Sequence, residues 1–518
     1  MRNRIYSSTF LVLLFVLFLV IPVGQSAFGQ DCTSLADLRI EDTNLLSATV
    51  VPASEDLPEY CRVLGYVRPA INFEVRLPTS QWNGKFFMAG CGGFCGKLES
   101  NNSRINAMNI GLKRNYAAST TDAGHWGETV FDGRWGLHNR VAEIDYGYRA
   151  VHETARVTKN IIESYYGNTA KYSYFMACSN GGRQANMEAW RYPEDFDGII
   201  SGCPALNLTE LSVYTTWLAT KNRGPDGKDL ITPAETELAR KAVYEACDGI
   251  DGIEDGLISD PGSCTFNPGS LACEHPDQAD CLSQEQVAAL RAFYQGPENS
   301  SGERLYPGGV PFGSEPYWEL WITGETDEVS DGLASAISTN GLRYLVFEED
   351  PGSTYPIEDF DFDRDPPRLE HMGKIFNADH PNLEAFRKHG GKMLMWQAWA
   401  DAIVPPLGTI AYYNAVEKEV GNRQATQDFL RLYMIPGMDH CGILDGPGIM
   451  DDGFDPLTAM EKWVEQGQPP ERLLTTKTDS TGAVQWTRPV CPYPQRAVYD
   501  GEGDVNEASN FKCINPNP

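Results

Sequence analysis

The stretch Tyr172–Gln184 reads Tyr-Ser-Tyr-Phe-Met-Ala-Cys-Ser-Asn-Gly-Gly-Arg-Gln. Its first half is aromatic and apolar, with the residue preferences of a strand. The pattern breaks at Asn180-Gly181-Gly182, and the residues that follow, Arg-Gln-Ala-Asn-Met-Glu-Ala-Trp, are rich in good helix formers. Strand, sharp glycine-bearing turn and helix in succession predict a serine on a strained turn, its Oγ held above the sheet edge. Small neighbours are required there so that strand and helix approach closely. Ser179 fills that position, with Gly181 two residues on and Ala177 where the common Gly-x-Ser-x-Gly pattern has its first glycine. A Ser-Asn-Gly-Gly turn alone is more often only a turn, so partners must be found elsewhere.

They occur downstream, in order. Gly391-Lys-Met-Leu-Met-Trp-Gln-Ala-Trp399 is a buried-strand pattern, and Ala400-Asp401-Ala-Ile-Val-Pro-Pro places Asp401 on the turn after it. Phe429-Leu-Arg-Leu-Tyr-Met-Ile435 is a second strand, followed by Pro436-Gly-Met-Asp-His440-Cys441-Gly442. Serine, then acid, then histidine is the chain order of an α/β-hydrolase. Serine is a weak nucleophile until a histidine takes its proton, and the acid selects the imidazole tautomer and stabilises its charged form. Singly, Asp401 reads as a solvated loop acid and His440 as a surface turn residue. Three such residues at three strand ends, in that order, favour a triad. His125, in Asp122-Ala-Gly-His125 after the strand at Tyr116–Thr121, is a rival base. It is disfavoured because it precedes the serine and has no cysteine beside it.

Cys178 directly precedes Ser179 and Cys441 directly follows His440. If serine and histidine are within hydrogen-bond reach, the Cα atoms of these neighbours are close enough to be bridged. This Cys-Ser … Asp … His-Cys constellation resembles the tannase and feruloyl esterase family of secreted serine esterases, which includes an enzyme that hydrolyses mono(hydroxyethyl) terephthalate. The resemblance covers most of the chain after its first residues. It implies an α/β-hydrolase core with a large inserted lid domain, and a carboxylic-ester hydrolase that works through an acyl-enzyme with no organic cofactor. The implied substrate is a small ester of an aromatic acid, such as a feruloyl or galloyl ester.

Residues 1–29 have the character of an export signal: Arg2 and Arg4, an apolar core at Phe10–Val23, and a small-x-small site at Ala27-Phe28-Gly29. No cysteine stands directly after that site, and the apolar core is too short for a membrane span. A secreted or periplasmic location is expected, and the 13 cysteines then read as a disulfide framework. A formal net charge of −29 argues against nucleic acid and anionic membrane surfaces as partners. Strand signals at Ile71–Leu77, Lys85–Ala89 and Phe196–Gly202, with an amphipathic helix over Val141–Tyr165, assign residues 30–206 to the first part of the core. Sheet signals stop over 207–380, the expected lid, and 381–518 completes the core.

The strand Lys85–Ala89 runs into Gly90-Cys91-Gly92-Gly93-Phe94-Cys95-Gly96. The run lacks the Gly-Lys-Ser/Thr of a phosphate loop. A glycine-rich loop after an early strand is where this fold places an oxyanion donor. Gly92 is the expected donor, with Gly93 or Cys91 as alternatives, and the N–H of Asn180 the second.

In the expected lid, Cys247-Asp248-Gly-Ile-Asp251-Gly252-Ile253-Glu-Asp255-Gly256-Leu257 interleaves acids with turn-forming glycines. Such a turn is usually a solvated loop, and its spacing is not that of an EF-hand. Similarity to the family's lid calcium loop implies a structural Ca²⁺ held by Asp248, Asp251 and Asp255 with the carbonyls of Ile253 and Leu257. Tyr306-Pro-Gly-Gly and Pro316-Tyr317-Trp318-Glu-Leu-Trp321 also resemble the family, although clustered aromatics are more often lid core than substrate wall. The resemblance further implies the bridges Cys32–Cys61, Cys178–Cys441, Cys247–Cys264, Cys273–Cys281 and Cys491–Cys513. Cys91 and Cys95 depart from the family loop and are suited to a local bridge, which makes Cys203 the expected free thiol. Gln397 and Val404, flanking Asp401, lie where family members vary. Two other classes fit less well. A peptidase on this fold would be expected to carry a peptide-gating repeat, and an inactive binding protein has no chemical reason to keep Ser179, Asp401 and His440.

Overall fold

Strand side chains alternate faces, and a strand covered on both faces is apolar throughout rather than every second residue. The central strands of this chain are of that kind. In the computed structural model, which describes Met1 and residues 31–98, 106–275, 278–324 and 332–515, one sheet is built from β1 (Thr43–Val51), β2 (Tyr60–Val67), β3 (Ile71–Pro78), β4 (Lys85–Ala89), β5 (Ala117–Thr121), β6 (Tyr172–Cys178), β7 (Gly198–Gly202), β8 (Lys392–Ala398) and β9 (Leu430–Ile435). Beyond Met1, the export signal expected over 1–29 lies outside the described residues. The order across the sheet is β1-β2-β3-β5-β4-β6-β7-β8-β9. From β5 to β9 neighbouring strands are parallel, while β1, β2 and β3 form an antiparallel flank joined to β5.

The flanking helices that matter here are α1 (Ala150–Tyr166), α2 (Asn180–Arg191), α3 (Leu208–Lys221), α4 (Pro233–Cys247), α5 (Pro406–Val420) and α6 (Pro456–Gln466). In β6, Phe175 and Ala177 join the core with Val151, Ala155 and Ile161 of α1, Ala185 of α2 and Ile410 of α5. Tyr174, Met176 and Cys178 point the other way, into a second core with Met460 and Trp463 of α6. Each fully buried side chain of this size contributes about 1.5–3 kcal/mol. The nucleophile strand is thus clamped between two layers, and its end is a rigid platform.

Between Gly202 and Lys392 the described residues add no strand to the sheet. That interval holds α3, begun by Asn207, whose side chain accepts from Glu210 N, and α4, begun by a Thr232/Glu235 capping box. The helix read over Val141–Tyr165 is interrupted. A short helix Arg140–Ile144 passes through a π turn at Asp145–Arg149 before α1 begins, and Gly167 at φ +70° ends α1. The strands β1 and β2 and two C-terminal hairpins, β10 (Leu473–Thr478) with β11 (Val484–Val490) and β12 (Arg496–Tyr499) with β13 (Phe511–Ile514), had no counterpart in the sequence reading. The hairpins form separate two-stranded sheets outside the main one.

Sulfur bridges join Cys32 to Cys61, Cys91 to Cys95, Cys178 to Cys441, Cys247 to Cys264, Cys273 to Cys281, and Cys491 to Cys513. Cys203 is free and buried.

Candidate active site

Ser179 sits between β6 and α2 at φ +66° and ψ −125°, a backbone conformation that L residues rarely adopt. Its N–H donates to Gly202 O at 2.9 Å, which pins the turn to β7. A Cβ on Gly181 would stand 2.4 Å from the Ala177 Cβ, and one on Gly182 would stand 2.4 Å from Gly202 O. The strand and helix therefore meet too closely for side chains at both 177 and 181. Here the strand residue has the methyl and Gly181 gives way.

His440 Nε2 lies 2.8 Å from Ser179 Oγ, and its Nδ1 lies 2.7 Å from Asp401 Oδ2. The sequence-predicted serine, histidine and acid are thus brought into one hydrogen-bonded chain at the C-terminal ends of β6, β8 and β9. Asp401 is fully buried and surrounded by donors. The N–H groups of Ile403 and Val404 donate to its Oδ1 at 3.1 and 2.8 Å, and Gln397 Nε2 donates to Oδ2 at 3.0 Å. Thr409 Oγ1 in turn donates to Gln397 Oε1 at 2.8 Å, fixing the amide's orientation. Gln397 and Val404, which sequence flagged only by position, therefore orient the acid.

The bridge between Cys178 and Cys441 spans 6.0 Å between Cα atoms and ties the residue before Ser179 to the residue after His440. His125 lies elsewhere. Its Nε2 is 2.6 Å from Phe94 O, its ring stacks on Trp135 at 3.7 Å, and burial pulls it down to about 4.

At the glycine loop, Cys91 N–H donates to Gln184 Oε1 at 3.1 Å, so it is already engaged. Among the described residues, the N–H groups of Gly92 and Gly93 have no hydrogen-bond partner. The Asn180 side chain connects this loop to the nucleophile turn. Its Nδ2 donates to Cys91 O at 3.2 Å, and its Oδ1 accepts from Tyr146 OH at 2.8 Å and Arg183 Nε at 2.7 Å. Tyr146 belongs to the π turn, and fully buried Arg183 also donates to Tyr146 O, Gly147 O and Phe376 O. No local pattern announces this network, because its members come from four separate stretches.

Tyr317 and Trp318 are core residues, as clustered aromatics usually are. Trp321 belongs to the same core and also reaches His440. Its ring stands edge-on to His440 at 5.2 Å between centroids, and its Nε1 donates to Asp439 Oδ2 at 3.4 Å. Burial lifts Asp439 to about 7. A cavity of about 1220 Å³ lies on the opposite, α6 side of the sheet, lined by Met176, Trp396 and Phe454 but by neither Ser179 nor His440.

The acidic loop after α4 is held by its own backbone. Gly256 N–H donates to both Asp248 oxygens at 3.0 Å, Ile253 N–H to Asp251 at 3.0 Å, and Leu257 N–H to Asp255 at 3.1 Å. Burial raises Asp248 and Asp251, and the neighbouring Asp255 charge adds to it in both. Three carboxylates and the Ile253 and Leu257 carbonyls are oxygen donors of the kind a hard cation takes, but the ligand oxygens of Asp248, Asp251 and Asp255 do not all lie within 4.8 Å of one another, so the implied set is not gathered round one point here. Arg488 is 2.9 Å from Asp255 Oδ2, so that carboxylate is already paired with a guanidinium.

A mostly parallel sheet carrying Ser, Asp and His in this order at its strand ends defines an α/β-hydrolase with a lid. Comparison narrows the class. A family model described as tannase and feruloyl esterase matches residues 56–514. The chain is 31% identical to the mono(2-hydroxyethyl) terephthalate hydrolase of Piscinibacter sakaiensis, over 91% of this chain and 87% of that one. It is 28% identical to feruloyl esterase B of Aspergillus niger, over 95% and 92% of the two chains. The crystal structure of feruloyl esterase B from Aspergillus oryzae superposes with a TM-score of 0.82 at 26% identity, covering 93% of this chain and 99% of that one. The chain belongs to the tannase and feruloyl esterase family and is a carboxylic-ester hydrolase.

Proposed function

We propose that the protein is an exported serine esterase that cleaves small esters of aromatic acids through an acyl-enzyme. The observation that carries this reading is the unbroken chain Ser179 Oγ, His440 and Asp401, with contacts of 2.8 and 2.7 Å. Ser179 attacks the ester carbonyl as His440 Nε2 takes its proton, and Asp401 holds the tautomer that leaves Nε2 free to accept. The N–H groups of Gly92 and Asn180 stabilise the oxyanion. His440 then protonates the departing alcohol, and water repeats the sequence on the acyl-enzyme. The aromatic acyl preference rests on kinship with feruloyl esterases and the terephthalate-ester hydrolase. Export rests on the character of residues 1–29 and on the bridged cysteines.

Asp248, Asp251 and Asp255 with the carbonyls of Ile253 and Leu257 are proposed to hold Ca²⁺. The ion would supply a structural cross-link for the lid and take no part in ester attack. The reading is tested by assaying methyl ferulate, methyl gallate and mono(2-hydroxyethyl) terephthalate with the purified protein and its Ser179→Ala variant. Turnover of at least one substrate, lost in the variant, is expected. Turnover retained by the variant, or none on any of the three, would refute it.

A further inference from the structure

Cys203 has no role in the chemistry above, yet it lies at its centre. It follows β7, its N–H donates to Trp396 O at 2.8 Å, and its backbone is held at φ +33°. The side chain is fully buried and the thiol is free. Its Sγ and the two bridged sulfurs of Cys178 and Cys441 all lie within 4.8 Å of one another. The strand register independently places them together, since β6 and β7 pair Cys178 with Gly202, the residue before Cys203. A thiol packed against a disulfide is what thiol–disulfide exchange requires.

We propose that Cys203 is an internal exchange partner for the Cys178–Cys441 bridge, and that this exchange converts the esterase into an inactive isomer. The Cys203 thiolate attacks Cys178 Sγ. The Cys203–Cys178 bond forms as the Cys178–Cys441 bond breaks, and Cys441 leaves as a thiolate that takes up the proton Cys203 released. One disulfide and one thiol are present before and after, so no oxidant or reductant is consumed. Cys178 is the target because β6 and β7 are hydrogen-bonded neighbours, and a bridge between their ends leaves the sheet in place. The isomer frees Cys441, and with it His440, from the covalent tie to the Ser179 turn.

The surroundings protect the active isomer. Burial raises the Cys203 thiol well above its usual range, the Asp401 and Asp439 charges add to this, and hydrogen bonding from the Cys441 and Ala398 backbones opposes it. The imidazole of His440 also lies within 4.8 Å of the thiol. Thiolate is therefore scarce at neutral pH, and exchange accelerates in alkali. The effect on turnover rests on the triad reading, whereas the exchange itself does not.

The test holds the purified protein without added thiol at a series of rising pH values at which it remains folded. Free thiols are then alkylated, activity is assayed at neutral pH, and disulfide-linked peptides are mapped without reduction. Activity is expected to fall at a rate rising about tenfold per pH unit below the thiol's pKa. The loss should track the appearance of a Cys178–Cys203 linked peptide and an alkylated Cys441. Cys203→Ala and Cys203→Ser, made in parallel in case one folds poorly, should keep both activity and the Cys178–Cys441 link. The proposal is overturned if these variants inactivate as fast as the parent, or if Cys203 is still the only alkylated thiol after activity is lost. A parent protein that keeps its bridge across the pH series overturns it equally. Failure of the triad reading would show separately, as activity surviving in Ser179→Ala, while the peptide map still reports the exchange.

Discussion

Asp401 illustrates how much of the proposed triad's geometry lies outside its three members. Its carboxylate accepts from Ile403 N–H, Val404 N–H, Gln397 Nε2 and His440 Nδ1. Every neighbour is a donor, so an asparagine there can satisfy the two backbone groups only by turning its own NH₂ towards Gln397 and His440. The imidazole would then carry its proton on Nε2 and lose the ability to accept from Ser179. Asp401→Asn is expected to lower kcat by about 10⁴-fold with the fold intact, and Ser179→Ala by at least as much. Steady-state kinetics alongside circular dichroism check both. A kcat within tenfold of the parent for Asp401→Asn would mean that another group sets the tautomer.

Two loops act as units. The Cys178–Cys441 bridge closes a separation of 263 residues, and in the chain-entropy model a closure so long is worth on the order of 5 kcal/mol. Its effect on turnover should exceed its effect on folding, since about 1 Å of misplacement can cost roughly a hundredfold in rate. Replacing both cysteines with alanine is therefore expected to lower kcat about a hundredfold at temperatures where the variant is still folded. Unchanged kcat with a lowered Tm would assign the bridge to stability alone. The acidic loop after α4 packs against β11 through Asp255 and Arg488. A cation bound there stabilises the folded state by binding linkage. Excess chelator should lower Tm and calcium should restore it, and metal analysis of the purified protein should find calcium. A melting curve indifferent to chelator, in protein free of calcium, would remove the site.

Across the molecule, several buried carboxyl groups titrate near neutrality. Burial lifts Glu143 and Glu315 from an ordinary 4.5, and Asp439 from 3.8, to about 7 in each case. Between the ordinary and the raised values the folded chain holds protons that the unfolded chain has released. Stability therefore falls as pH rises from about 4.5 to 7, with no further loss from these groups above that. Glu237, held down to about 2 by its hydrogen bond with Arg240, acts in the opposite sense only below its ordinary range, and it is exposed. The net charge of −29 adds self-repulsion at the alkaline end. Tm is expected to be higher near pH 5 than near pH 8. A Tm that rises steadily from pH 5 to 8 would contradict this assignment of buried acids.

The displayed serine, the order of its partners and the central buried strands were legible in sequence because each rests on local chemistry. Continuous apolar runs, a glycine where strand meets helix, and a cysteine beside both Ser179 and His440 are readable within a few residues. The strands β1 and β2 and the C-terminal hairpins were missed, because the residue types along them do not alternate as clearly as their burial does and their pairing partners are distant or only locally matched. Contacts between stretches far apart in the chain were decided by the tertiary structure alone. It set the π-turn Tyr146 against Asn180, Trp321 beside His440, and the Cys203 thiol, expected only to be unpaired, against the bridge. The physical reason is that local pattern specifies which face a residue presents, whereas only packing of the sheet, its helices and the lid specifies what that face meets.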